Sequence, residues 1–251
     1  MKPAANLSLL WPELPFLERF NAAAAAGFKA VEVLFPYDVP VPEIQAVLRA
    51  NGLQMILLNA PPQTDTGRAR GFAGTPNGEA QFEQDICHAF RYAQALGVSF
   101  IHVMTGDNAG PACLPTLIRN LTWAARAAPK GITLTLEPLC EATMPGYFMN
   151  DYVLAAEVLA AVDAPNCGLQ YDSFHAQMIH GDAVATYEKY RSLVRHVQLG
   201  DAPDRGAPAT GTVNFRELFH MMRSSGYDGW VSGEYHPGGP TEDTLGWMKL
   251  A

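Results

Sequence analysis

Short apolar runs recur along the chain, separated by longer stretches in which apolar residues return every three or four positions. The runs are Ala4–Leu9, Ala30–Phe35, Leu53–Leu58, Phe100–Met104, Ile132–Glu137, Cys167–Asp172, Val194–Leu199 and Gly229–Glu234. Runs this short, largely apolar and bounded by turn residues, predict buried strands. The stretches between them predict helices: Pro15–Ala26 closed by Gly27, Val41–Ala50 closed by Asn51-Gly52, a helix reaching Leu96-Gly97, and Leu114–Ala128. Further helices are expected over Tyr152–Val162, from Phe174 with a second piece ending near Tyr190, over Phe215–Ser224, and in a short segment from Glu242. Glycine placed just after the last turn is the usual helix stop, because it takes the left-handed conformation at little cost. Strand and helix signals alternate eight times with no break in composition, which predicts an α/β fold: one (β/α)8 barrel domain over residues 1–251. A doubly wound open sheet is the alternative, but no GxGxxG follows the first strand.

The last four runs end alike. Ile132–Glu137 finishes on a glutamate, Cys167–Asp172 on an aspartate, Trp230–Glu234 on a glutamate, and Val194-Arg-His-Val-Gln198 on an amide. Side chains alternate along a strand, so each terminal group shares a face with the residues two and four before it. That predicts one inward, mostly polar face made of Thr133, Thr135 and Glu137; Gly168, Gln170 and Asp172; Val194, His196 and Gln198; and Trp230, Ser232 and Glu234. A strand-end acid taken singly reads as a cap for the following helix. Four oxygen-rich groups converging from consecutive strands repel and lose hydration unless a cation neutralises them. They predict a divalent metal site, and oxygen donors without cysteine favour Mg²⁺ or Mn²⁺ over zinc.

Charge and length narrow the partners. A net charge of −8 with no Lys/Arg cluster argues against nucleic acid or an acidic membrane. No apolar run reaches the length of a membrane span, and Met1-Lys2-Pro3 leads towards a strand instead of a signal-type apolar stretch. The four cysteines lack CxxC spacing, so a reduced cytoplasmic setting is expected.

Two glutamates facing a metal on separated strands suit proton transfer beside a carbonyl: the ion polarises the carbonyl and the adjacent hydroxyl and stabilises an enediolate, while one carboxylate removes a proton and the other delivers one. Glu137 and Glu234 are therefore the expected catalytic pair as well as ligands. His175, one helical turn beyond Asp172, could reach the same mouth and bind substrate, or could be a helix histidine bonded to backbone. Arg205, in the loop after Gln198, is a candidate clamp for a substrate carboxylate or hydroxyl. Glu32 reads either as support for the ligands or as a helix-side ion pair, His196 as core, and Asn6 and Asn59 as pocket-lining groups. The Pro- and Gly-rich loop over residues 61–76 has the length of a lid. Trp247 and Met248 near the C-terminus suggest a subunit contact and hence a homo-oligomer.

These residues resemble the hydroxypyruvate isomerase family of the xylose-isomerase-like barrels over nearly the whole chain. The resemblance is carried by Ala5-Asn-Leu-Ser8, Val31-Glu-Val-Leu-Phe-Pro-Tyr37, Asn59-Ala-Pro-Pro62, Arg70-Gly-Phe-Ala73, His102-Val-Met104, Gln170-Tyr-Asp-Ser-Phe-His-Ala-Gln177, His196-Val-Gln198 and Gly229-Trp-Val-Ser-Gly-Glu-Tyr235. It implies metal ligation by Glu137, Asp172, Gln198 and Glu234, acid/base roles for the two glutamates, and interconversion of hydroxypyruvate and tartronate semialdehyde. Asn59-Ala-Pro-Pro62, Phe174-His-Ala-Gln177 and Pro203-Asp-Arg205 look closer to the branch that isomerises 2-oxo-tetronates, one carbon longer. Gln63-Thr64-Asp65, Cys140 and Thr212 depart from the family pattern and bear on which keto acid or sugar acid is used. Ketose 3-epimerisation, a metal-dependent endonuclease and a non-catalytic barrel that binds a sugar acid are the competing readings.

Overall fold

The computed structural model describes residues 1–60 and 70–250. Eight parallel strands close into a barrel in chain order: β1 (Lys2–Asn6), β2 (Ala30–Glu32), β3 (Gln54–Asn59), β4 (Phe100–His102), β5 (Thr133–Leu136), β6 (Cys167–Asp172), β7 (Val194–Leu199) and β8 (Trp230–Gly233). β8 pairs back to β1 through Lys2 and Trp230. The helices are α1 (Glu18–Ala25), α2 (Val41–Asn51), α3 (Glu79–Leu96), α4 (Cys113–Ala127), α5 (Tyr152–Val162), α6 (Ser173–His180), α7 (Ala183–Tyr190) and α8 (Phe215–Ser224). The segment after β8 is a 3₁₀ helix over Thr241–Lys249. The predicted (β/α)8 barrel is thus the fold.

Apolar side chains between strands and helices form one continuous layer. Inside the barrel, Ala4, Ala30, Ile56 and Leu57 form a separate small cluster with Phe100 and Trp230 packed against it. This apolar floor closes one end of the barrel, so that only the strand C-terminal ends open to substrate.

Strand boundaries differ from the sequence expectation where side chains intervene. β1 stops at Asn6 because its carboxamide oxygen accepts from Ser8 N at 3.0 Å, and Leu10 N bonds Asn6 O at 3.0 Å, turning the chain. β2 ends at Glu32, three residues before the predicted Phe35. The pairing of β6 with β7 shifts register between Leu169 and Gln170, so Val194 pairs with Leu169. Both belong to the outer apolar layer, which removes Val194 from the inward face. Trp247 is also corrected: its ring is 3% exposed, packs on Phe28 and donates Nε1–H to Tyr235 Oη at 3.2 Å, so it closes the barrel and cannot form a subunit contact. Most of the predicted lid, residues 61–69, lies outside the described residues. No helix among the described residues is long and apolar enough to cross a membrane.

Candidate active site

The four strand-end groups meet at the open end of the barrel. Glu137 follows β5, Asp172 ends β6, Gln198 lies in β7 and Glu234 follows β8; none is more than 4% exposed. Arg205 joins two of them, with Nη2 3.2 Å from Asp172 Oδ2 and 3.1 Å from Glu234 Oε1. Gln170, one layer below, joins the other two, donating from Nε2 to Glu137 Oε2 at 2.9 Å and to Gln198 Oε1 at 2.7 Å. His175 Nε2 stands 3.9 Å from both Glu137 Oε1 and Asp172 Oδ2. Every residue named from the sequence as ligand, acid/base or substrate contact is therefore in one cluster.

Local structure explains each position. Asp172 Oδ1 accepts from Phe174 N at 2.7 Å and caps α6, so the simple capping role is real for this residue. No such cap bond engages Glu137 or Glu234. Arg205 has a left-handed backbone (φ 54°), and its carbonyl accepts from His236 N at 2.8 Å. Its loop is tied by the buried Asp201 carboxylate, which accepts from Ala202 N and Val213 N at 2.9 Å and from Gly211 N at 2.8 Å. Gly211 is required here, because a methyl group at that position would collide with the Ala202 carbonyl oxygen.

Electrostatics at the site are dominated by burial. Desolvation raises the Glu137 carboxyl well above its ordinary value, with Glu234 and Asp172 adding to the rise. Burial likewise pushes Glu234 up to about 8, against the opposing pull of Arg205. Asp172 is raised by burial, with Arg205 again opposing. Arg205 loses hydration too, but the surrounding carboxylates hold its guanidinium more firmly protonated than usual. His175 is kept neutral by burial. Its Nδ1 accepts from Cys140 N at 3.0 Å, so the ring hydrogen is on Nε2 and points a donor towards the carboxylates.

Four groups that sequence reasoning left without a firm role complete the arrangement. Glu32 is fully buried, accepts from Asn6 Nδ2 at 3.2 Å and Gln198 Nε2 at 2.9 Å, and pairs with His196 Nε2. It therefore bonds to Gln198 from inside the barrel, and no helix-side ion pair forms among the described residues. Asn6 serves Glu32 and does not line the pocket, whereas Asn59 does line it. His102, at the end of β4, has Nδ1 3.3 Å from Glu137 Oε2 and is held neutral by burial, which lowers it to about 3. Its signals in sequence were its position at a strand C-terminal end and its place in the segment His102-Val-Met104.

Among the described residues the buried oxygens Glu137 Oε1 and Glu234 Oε2 have no hydrogen-bond partner. Arg205 is the only Lys or Arg among the described residues lining the cavity, which has a volume of about 220 Å³. Three carboxylates against one guanidinium leave negative charge to be met by protons or by a cation. Unpartnered oxygens with this donor chemistry fit a hard divalent ion. Glu137, Asp172 and His175 also bring one ligand atom each to within 4.8 Å of one another.

The match to a family model decides the relationship. It spans residues 20–251 and describes a xylose isomerase-like TIM barrel. The chain belongs to that family. A 2-oxo-tetronate isomerase from Cupriavidus necator is 41% identical over 251 residues, covering 98% of this chain and 96% of the relative. A hydroxypyruvate isomerase from Escherichia coli is 36% identical over 250 residues, covering 98% and 97%. A Brucella melitensis structure described as AP endonuclease, family 2, superposes with a TM-score of 0.94 at 40% identity over 99% of this chain and 98% of that one. The D-allulose 3-epimerase of Methylomonas, at 20% identity and a TM-score of 0.78, shares the barrel.

Proposed function

We propose that this protein is a divalent-metal-dependent aldose–ketose isomerase acting on short hydroxylated 2-oxo acids. The observation that carries the reading is the pair of unpartnered buried oxygens, Glu137 Oε1 and Glu234 Oε2, on carboxyls whose burial favours holding a proton. Glu137, Asp172, Gln198 and Glu234 would hold Mg²⁺ or Mn²⁺; the ion would polarise the substrate carbonyl and the adjacent hydroxyl. One glutamate removes the proton from the carbon bearing the hydroxyl, leaving an enediolate; the hydroxyl proton passes to the former carbonyl oxygen, and the partner delivers a proton to the former carbonyl carbon. The His175 Nε2–H and the Arg205 guanidinium are donors placed to bind substrate oxygens as charge develops on them. His175 is read as a substrate contact and not as a ligand, because the Cys140 amide already occupies its free lone pair.

For hydroxypyruvate these steps give tartronate semialdehyde. For a 2-oxo-tetronate the same proton transfers between C3 and C2 give the 3-oxo acid, with the extra hydroxymethyl group carried on C3. Relatives named 2-oxo-tetronate isomerase at 41% and 38% identity, ahead of the hydroxypyruvate isomerase at 36%, favour the four-carbon acid as the better substrate. The endonuclease reading is weaker. The metal-capable cluster among the described residues holds a single histidine, and the chain carries a net charge of −8. Turnover of both acids after chelation and Mn²⁺ add-back tests the proposal. We expect isomerisation of both, restored by the metal, with a higher kcat/KM for the 2-oxo-tetronate. No turnover of either acid, with unaltered binding of a sugar acid after chelation, would leave a non-catalytic binding barrel. Exchange at a ketose C3 in place of carbonyl migration would make it a 3-epimerase. A small keto acid or sugar acid is then the partner, in the cytoplasm.

A further inference from the structure

Gln170 is fully buried on β6, two residues before Asp172 and on the same face. A primary amide offers two hydrogens and one oxygen, and all three are committed. The hydrogens on Nε2 go to Glu137 Oε2 and Gln198 Oε1, at 2.9 and 2.7 Å. The oxygen accepts from Thr135 Oγ1 at 2.8 Å. The orientation is enforced from both ends. Gln198 must present its oxygen to Gln170, because its nitrogen donates to Glu32 Oε2 at 2.9 Å, and Glu32 is itself met by Asn6 and His196. Thr135 Oγ1 donates to the Gln170 amide oxygen at 2.8 Å, well inside the 3.4 Å to its other acceptor, the Ile101 carbonyl. Thr135, Gln170, Gln198 and Glu32 therefore form a hydrogen-bonded belt across the barrel interior, one layer beneath the open end.

We propose that Gln170 is a positioning residue that sets Glu137 and Gln198 as a matched pair before any cation arrives. It occupies one oxygen of Glu137 and leaves Oε1 bare. It also uses a single lone pair of the Gln198 oxygen, so that the second stays available to an ion. An apolar residue of similar size would fill the volume but release both side chains to rotate. The inference rests on the divalent ion of the proposed function, and its test separates the two.

Mn²⁺ affinity, read from the free-ion electron paramagnetic resonance signal, and the melting temperature of the chelated protein would be measured for wild type, Gln170→Leu and Thr135→Val. The proposal expects Gln170→Leu to bind Mn²⁺ about 10–100-fold more weakly, the loss typical of removing a group that orients a ligand. Thr135→Val, which frees the Gln170 amide to turn over, should lose less, in the same direction. A purely structural Gln170 would lower the melting temperature and leave the Mn²⁺ affinity of the folded fraction unchanged; that result overturns the proposal alone. If Gln170→Leu does not fold, Thr135→Val decides, and an unchanged affinity there is the contrary result. A wild type that binds no Mn²⁺ removes the ion itself and the proposal with it.

Discussion

The two halves of the barrel contribute differently to the open end. Strands β5 to β8 end in Glu137, Asp172, Gln198 and Glu234, which carry the reactive oxygens. Strands β1 to β4 bring Glu32, which accepts from Gln198, and His102, whose Nδ1 stands 3.3 Å from Glu137 Oε2, while Asn6 donates to Glu32 within the same half. Glu32 reaches Gln198 across 166 residues of chain, and His102 reaches Glu137. One half holds the chemistry and the other holds its geometry. A catalytic layer built from a single run of strands still depends on closure of the whole barrel, because its Gln198 amide is held by Glu32 from β2.

The sharpest way to break that division is in the second half. Glu137→Gln and Glu234→Gln each remove an acid/base group while keeping size and polarity, so kcat should fall about 10²–10⁴-fold, the usual worth of positioned proton transfer. Thermal unfolding of the chelated Glu137→Gln variant should show no loss of stability, since burial and its acidic neighbours already disfavour the charged carboxylate, whereas Glu234→Gln also gives up its contact with Arg205 and should melt lower. Near-normal kcat in both variants would remove the acid/base assignment. In the first half, Glu32→Gln places an amide where the Asn6 and Gln198 amide hydrogens converge on a carboxylate beside His196. The Gln198 amide then loses its fixed orientation, and Mn²⁺ affinity should drop about 10–100-fold with a smaller effect on kcat at saturating metal. Unaltered affinity would reduce the first half to a wall.

The smallest effect is on pH dependence. The Glu234 carboxyl rises from 4.5 to about 8 on folding, because of burial, so the stability it contributes is present below 4.5 and is lost as pH climbs through 8. Glu137 and Asp172 shift in the same direction. His102 and His175 are depressed by burial, so their contribution is present above 6.5 and is lost as pH falls below it. Between pH 6.5 and 8 only the carboxyls act, and the melting temperature of the chelated protein should fall with rising pH. Saturating Mn²⁺ should remove that slope, as the ion takes the place of the protons. A flat profile without metal would mean that Glu234 is ionised throughout.

The same contrast explains how much could be read in the sequence. The second half was legible because strand periodicity puts a terminal acid on the face of the residues two and four before it, and four strands repeated the pattern. The barrel followed from eight alternations. Val194 was misassigned because a register shift between Leu169 and Gln170 breaks the period of two, and nothing local marks the shift. Trp247 was read as an exposed apolar residue, yet it packs against Phe28 from the start of the chain, a contact created only by closure. Glu32 stayed ambiguous for the same reason: its partners, Gln198 and His196, are brought to it by the last strands of the barrel. The role of Gln170 required knowing which amide oxygen faced which donor, a matter of side-chain geometry that residue order does not carry.

The central claim is a single divalent ion held among the strand ends of the second half. Anomalous diffraction at the manganese edge from crystals grown with Mn²⁺ tests it directly. The account predicts one strong peak bonded to Glu137, Asp172, Gln198 and Glu234, with His175 outside the ligand set. No peak there, or one held by His175 while Gln198 stays bonded only to Gln170 and Glu32, would contradict it.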